Sequence, residues 1–328
     1  MVAVGLTALL GLAALSVDVG RIMMAAQRAQ DVADAAAFAG GSTLKVPADA
    51  IVAAQQTVAA NNQSNQGFPI TCTYIASSAA SDIRYFAPYT YVPNYGWLGW
   101  AAKAIQVTTH VTVPYTFGRA VGLTQKEITR RATAVRAPVG GCPIAPMWVS
   151  HPTEYSYGEY QNLLMADGPH YADIPGNFGW LALPAEVTAS WATVLAGLPL
   201  SDADLEAMFR DIGDTVTGYP GLSVGQWVDG LEARITRAGT GAWAGETWDN
   251  CSPNNPRIVI VPLVSYVSGT GSGATFRIEK FGAFWLDAVT ASGNPKHIDG
   301  RFIRYTLPGA GIEPLADDVG LFSYRLAG

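Results

Sequence analysis

Residues 1–17, MVAVGLTALLGLAALSV, carry no charge, and the same helical period runs on to Gly40. As a helix this run reaches about 25 Å, close to the roughly 30 Å hydrocarbon core of a bilayer. A cleaved signal peptide requires a basic region ahead of its apolar stretch. Nothing basic precedes this one, and the helical pattern continues straight through it, so the sequence predicts a retained membrane anchor. Arg21 and Arg28 follow the run. Taken by themselves they favour a cytoplasmic flank by the positive-inside rule, the opposite of the orientation that places the rest of the chain outside the cell.

Beyond residue 17 the helix is patterned by size more than by polarity. With Ile22 as origin and about 100° per residue, Ala25, Ala26, Ala29, Ala33, Ala36, Ala37 and Gly40 fall within about 60° of it, and Met24, Gln27, Arg28 and Asp31 lie opposite. Large side chains bury more area, but a stripe of Ala and Gly lets another backbone come close. The alternative is that alanine is there only as a good helix former. Asp18 projects on the seam side at the membrane boundary, where a carboxylate is costly unless paired. Its partners are expected to be Arg21 or a basic group or terminal amine of a neighbouring subunit. The assembly interface so defined comprises Gly5, Gly11, Asp18, Arg21, Ile22, Ala25, Ala26, Ala29, Ala33, Ala36, Ala37 and Gly40. Gly40-Gly41 and Pro47 end the helix.

The remainder reads as α+β, with mainly antiparallel sheets in two mixed domains after the long hydrophobic helix. The predicted division is residues 1–46 for the membrane or filament-core helix, 47–140 for a first domain and 141–328 for a second, with PVGGCP (138–143) as the boundary. A second helix is predicted over 47–63, beginning at Pro47. Period-two alternation then predicts strands over 70–76, 82–86, 104–117 and 127–136, with Ile105, Val107, Thr109, Val111 and Val113 on one face. The second domain is expected to hold helices at 157–165, 184–196, 201–211 and 223–238, and strands at 257–267, 274–287 and 300–306. SGTGSG (268–273) and ASGNP (291–295) are the turns between those strands.

The 328 residues are 14% charged, against about 25% in an average soluble domain, and 49% hydrophobic. That balance implies much surface facing protein or membrane. The net charge of −6 and the absence of any Lys/Arg run leave no footprint for nucleic acid. Cys72, Cys142 and Cys251 form no CxxC pair, and His110, His151, His170 and His297 are scattered, so there is no local metal motif. Cys142 and Cys251 each sit beside a proline-containing turn at the entry to a predicted strand, and a disulfide between them is expected, with Cys72 left as a buried thiol. No nucleophile elbow, phosphate-binding loop or zinc-protease motif occurs. The acid pairs Asp202/Asp204, Asp211/Asp214 and Asp317/Asp318 read as solvated helix-face acids, and no catalytic, cofactor or metal residues are assigned.

The stretch LAALSVDVGRIMMAAQRAQDVADAAAFAGG (12–41) resembles the TadE/TadG-like proteins of the Tad (Flp) pilus assembly system, within the type IV pilin-like superfamily. An apolar run is followed by Asp18, Gly20 and Arg21, then Gln30, Ala33, Asp34, Ala35, Ala36 and Ala37. Processed pilins usually carry a Glu five residues after their cleavage point; Gly5 stands there if Met1 begins the mature chain, and Asp18 is then the nearest acid. Some TadG-like proteins carry a von Willebrand A domain, whose D-x-S-x-S motif is missing here.

The resemblance implies a non-enzymatic subunit of an extracellular pilus-like filament, anchored in the membrane before assembly and polymerising through its N-terminal helix. Its expected partners are copies of itself in a helical filament, other pilus assembly proteins and membrane lipid. One alternative is an anchored pilus-assembly or envelope protein that does not polymerise. Another is an extracellular enzyme or carbohydrate-binding module in residues 141–328, with His151, His170 and the tyrosines between them lining a sugar groove.

Overall fold

A computed structural model describes residues 2–327 except 64–66, 77, 94, 100, 151–155, 163–176, 221–223, 291–296, 315, 317 and 319, and excluding the side chains of 2–14, 63, 162, 177–178 and 224–226. The chain divides into two compact units, residues 1–136 with 324–328, and residues 137–323. Among the described residues the fold is α+β, with five α-helices and mixed sheets.

The first unit opens with helix α1 (Val2–Ser42), and α2 (Pro47–Gln63) follows. Helix α1 ends where Gly40 and Gly41 lead into a turn, with Thr43 N–H donating to Gly40 O at 3.2 Å. Proline is well placed at the first position of α2 because its missing N–H would have no helical partner there. Asp49 in the first turn complements the helix dipole. Short strands β1 (Ile70–Thr71) and β2 (Ile83–Phe86) pair antiparallel with one edge of β5 (Lys103–Pro114). Between them and β5, β3 (Tyr91–Val92) and β4 (Gly96–Trp97) form a separate small hairpin. The other edge of β5 pairs in unbroken antiparallel register with β6 (Gln125–Pro143), from Pro114↔Gln125 to Lys103↔Arg136. Within this unit the chain returns at its end: Ala327 N–H donates to Thr133 O at 2.8 Å, and the rings of Phe38 and Tyr324 lie 5.0 Å apart.

In the second unit, β7 (Val149–Ser150), β8 (Tyr160–Asn162) and β9 (Asn177–Leu181) precede α3 (Trp191–Leu195), α4 (Asp202–Met208), β10 (Phe209–Asp211), β11 (Thr215–Pro220) and α5 (Val224–Ala238). Then come β12 (Ile258–Ser268), β13 (Thr275–Thr290), β14 (His297–Ile303), β15 (Tyr305–Thr306), β16 (Gly311–Ile312) and β17 (Leu321–Leu326). A seven-stranded sheet runs β7-β12-β13-β11-β9, with β14 on β13 and β8 on β14. Among the described residues its pairings are antiparallel except β7 with β12. One core gathers Trp148, Phe276 and Phe281, and another packs Trp180, Trp191 and Trp227 where α3 and α5 meet the sheet. Gly230 permits that meeting, since a Cβ there would stand 2.9 Å from Leu195 Cβ.

The structure differs from the sequence expectations at several places. Residues 160–162, within the predicted helix 157–165, form strand β8 on the edge of β14. The predicted helix 184–196 is cut to Trp191–Leu195, capped by Ser190, whose hydroxyl accepts from Thr193 N–H. The predicted helix 201–211 stops at Met208, because residues 209–211 pair with Pro143, Cys142 and Gly141. Asp204 is not a solvated acid: it is buried and accepts from Thr188 N–H at 2.6 Å and Ser201 Oγ at 2.8 Å. His151, His170, Asp317 and the predicted turn 291–295 lie outside the described residues.

The expected Cys142–Cys251 disulfide is also absent; all three cysteines are free thiols. Cys142 is fully enclosed on β6, in register with Arg210, and serves the core as a small apolar side chain. Cys251 sits in the turn after Trp248, its Sγ 3.8 Å from the Trp248 carbonyl. Burial, reinforced by Asp211, pushes the Cys142 thiol up to about 12, and burial with Glu246 nearby also raises Cys251. Neither is disposed to form the thiolate that disulfide exchange requires. Among the described residues no helix is long and apolar enough to cross a membrane. Of the run 1–17 behind the anchor expectation, the side chains of 2–14 are not described.

Alkylation after unfolding without reductant should label three cysteines by mass; a single labelled cysteine would reveal a disulfide after all.

Candidate functional site

The small residues predicted as a seam form the buried face of α1. Ala25, Ala29, Ala33, Ala36, Ala37 and Gly40 are buried, and Ile22 and Ala26 are partly so. They lie in one core with Ile105, Val107 and Val111 of β5, Ile128 and Ala134 of β6, and Ala50, Ala54 and Val58 of α2. Small side chains decide how near the helix comes. Thr109 Oγ1 donates to the Ala29 carbonyl at 2.9 Å, from sheet to mid-helix backbone. At Gly40 an added Cβ would stand 2.8 Å from Ile105 Cδ1 and 3.0 Å from Ala50 O. Gly5 and Gly11 lie on the same helix, among residues whose burial is not described.

Asp18 marks the head of this packed stretch. Its carboxylate is 2% exposed and accepts from the N–H groups of Thr116 at 2.7 Å, Phe117 at 2.9 Å and Gly118 at 2.8 Å. These three amides sit at the tip of the β5–β6 hairpin, where a 3-10 turn over Gly118–Val121 closes on Gly122 at φ +86°. Converging N–H groups at a tight turn form an anion-binding concavity, and here a side chain of the same unit fills it. Burial acts to raise the Asp18 pKa, but the backbone donors outweigh it and hold the carboxyl below its ordinary value.

Arg21, the partner expected from sequence, lies 4.0 Å from Asp18 and also reaches the Thr116 hydroxyl, with its guanidinium over the Phe68 ring. One turn and more along, Arg28 donates to Asn61 O at 3.2 Å and ties α1 to the end of α2. Thr109, Arg28 and the 116–118 amides were missed from the sequence. A hydroxyl inside an alternating strand gives no sign of reaching a helix carbonyl, and backbone donors carry no residue signature.

Around this head the surface is apolar. Leu15, Val17, Val19, Met23 and Met24 of α1 are exposed, as are Phe117, Val121 and Leu123 of the hairpin tip. Exposed Arg119 lies in the same tip, and exposed Lys126 is the second residue of β6.

Residues 1–55 match the family model described as Putative Flp pilus-assembly TadE/G-like. The N-terminal segment is TadE/G-like. The TadE/G-like segment covers α1 and the first half of α2, so it contains every seam residue and Asp18 but none of the strands they pack against. The match links this segment to Flp pilus assembly. Comparison with curated proteins and with solved structures gave no match.

Asp18 supplies a pH-dependent component of stability. A depressed carboxylate contributes fully above its unfolded value of 3.8, and the contribution is lost as pH falls through the lower folded value. In Asp18→Asn the thermal midpoint at neutral pH should drop, and the gap from the parent protein should shrink as pH falls below about 4. An unchanged gap between pH 7 and pH 2, followed by circular dichroism, would show that the charge is immaterial.

Proposed function

We propose that this chain is a non-catalytic, membrane-anchored component of a Tad (Flp) pilus assembly system, with both units carried on the outer side of the membrane. The observation behind it is how α1 is used. From Ala25 to Gly40 its small-residue face is occupied by the sheet and α2 of its own unit. Ahead of Asp18 the helix carries exposed apolar side chains, and the hairpin tip bound to Asp18 adds Phe117, Val121 and Leu123. Apolar patches rimmed by polar residues mark interaction or membrane surfaces. Basic Arg119 and Lys126 beside this one suit anionic headgroups. The uncharged run 1–17 then continues into the bilayer, its expected span being close to the hydrocarbon thickness.

A filament-forming subunit is the second reading, favoured by the same helix. Its first half, residues 2–17, lies ahead of the packed stretch and would be available to pack with copies after leaving lipid. Gly5 and Gly11 permit close approach there. In that case contacts between copies involve the head of α1, because using Ala29 or Ala33 would require pulling the helix off its own sheet.

Mechanical shearing of cells producing the protein, followed by electron microscopy and mass spectrometry of both fractions, separates the two. The anchored reading expects the chain in the membrane fraction and at most a trace in filaments. Its recovery as the dominant component of regular filaments would replace that reading with the polymer. Ala33→Leu distinguishes them further. Overpacking a closed core costs about 1–3 kcal/mol, so the variant should lower the thermal midpoint of the isolated protein before any assembly step. A variant as stable as the parent would show that the Ala33 face is open in solution.

A further inference from the structure

The second unit holds a cleft of about 580 Å³ between α3, α4 and α5 and the first residues of β12. That volume lies within the range of about 300–1,000 Å³ typical of small-molecule sites. Ile144, Val194, Leu198, Leu205, Met208 and Ile260 are among its walls, and Arg234 of α5 is the one polar side chain among the lining residues. Its Nε is buried and makes no hydrogen bond, and Nη1 reaches only the Ile258 carbonyl at 3.5 Å, the limit of a bond. Among the described residues no acid pairs with it. Its charged neighbour is Arg237, which adds positive potential and donates to Gly197 O at 2.9 Å. Burial and Arg237 bring the Arg234 pKa down to about 10, so it stays charged at neutral pH.

The cradle is shaped for the guanidinium. Gly197 sits at φ +60°, and a Cβ there would fall 2.1 Å from Arg234 Nη2. Only glycine combines that backbone with that approach. A half-buried guanidinium with an enclosed, unbonded Nε and no counter-charge is costly. The ligand that removes the cost offers two coplanar oxygens to the fork of N–H groups. Every other lining side chain is apolar, so the walls suit a ligand body that brings no hydrogen-bonding groups of its own. A peptide would carry amides that the wall side chains cannot satisfy; a hydrocarbon chain carries none.

We propose that this cleft binds a long-chain carboxylate, with the head on Arg234 and the alkyl chain along the walls. The site lies within the second unit and does not depend on the pilus reading.

The test is calorimetric titration of the full chain, held in an amphipathic polymer, with dodecanoate below its micellar concentration. Dodecanol, dodecyltrimethylammonium and an apolar tetrapeptide with a free C-terminal carboxylate serve as comparisons. Dodecanoate should bind at least tenfold tighter than any of them. Arg234→Met, which replaces the charge with an apolar chain of similar length, should unfold no earlier than the parent and lose that preference. Leu205→Trp, at a partly exposed wall position, should fill the cleft and weaken dodecanoate at least tenfold while leaving the fold intact. Equal binding of dodecanoate and dodecanol, tighter binding of the peptide, or a folded variant of either kind that binds dodecanoate as the parent does would each overturn the proposal.

Discussion

The first unit depends on how closely α1 approaches the β5–β6 sheet. Alanine and glycine bury little area per residue, so a helix of this kind holds its place through proximity and through fixed points along its length. Proximity appears as the hydroxyl of Thr109 bonded to the Ala29 carbonyl and as the space at Gly40 that no Cβ could share with Ile105. The fixed points are Asp18 in the amides of the hairpin tip, Arg28 on the end of α2, and the turn after Gly40. A larger residue on the buried face would lift the helix and strain all of these together. The stripe thus serves packing within the chain, a use that the helical wheel alone does not separate from packing between chains.

Two kinds of buried charge divide the molecule. Asp18 and Asp204 are enclosed and saturated: each accepts from several donors, and each carboxyl is held below its ordinary value, Asp18 against the opposing effect of burial, Asp204 chiefly by Thr188 N–H and Ser201. They fix local geometry, Asp18 at a hairpin tip and Asp204 at the start of α4. Arg234 is the contrasting case, a guanidinium with a buried, unbonded Nε in an apolar cleft. Structural charges are completed by the fold, and a charge left incomplete marks a place where the fold expects something from outside.

What was legible in the sequence follows the range of the forces involved. The helix, its small-residue face and the long strands β5, β6, β12 and β13 all follow from local periodicity, and the family resemblance lay in the same residues that match the family model. Elements set by tertiary pairing were not legible. Residues 160–162 have no strand alternation of their own and are strand because β14 offers an edge. Met208 ends α4 because the next three residues find partners on β6. The partner of Asp18 lies about a hundred residues away and consists of backbone, so sequence pointed to the nearest cation, which is only the second neighbour. The proximity of Cys142 and Cys251 to turns suggested a bridge, whereas Cys142 is paired with Arg210 near the end of β6 and Cys251 belongs to a separate turn.

The return of residues 324–327 to the first unit bears on the order of biogenesis. Tyr324 packs on Phe38, and Ala327 bonds to Thr133. A ribosome delivers these residues only after all of 137–323, so the second unit has every residue it needs while the first still lacks residues 324–327. Until they arrive the first unit is unfinished, with the Thr133 carbonyl still waiting for the Ala327 N–H. Such unpaired backbone invites mispairing. The first unit is therefore most vulnerable until residues 324–327 have been made, and removing them would strike the domain at the opposite end of the sequence.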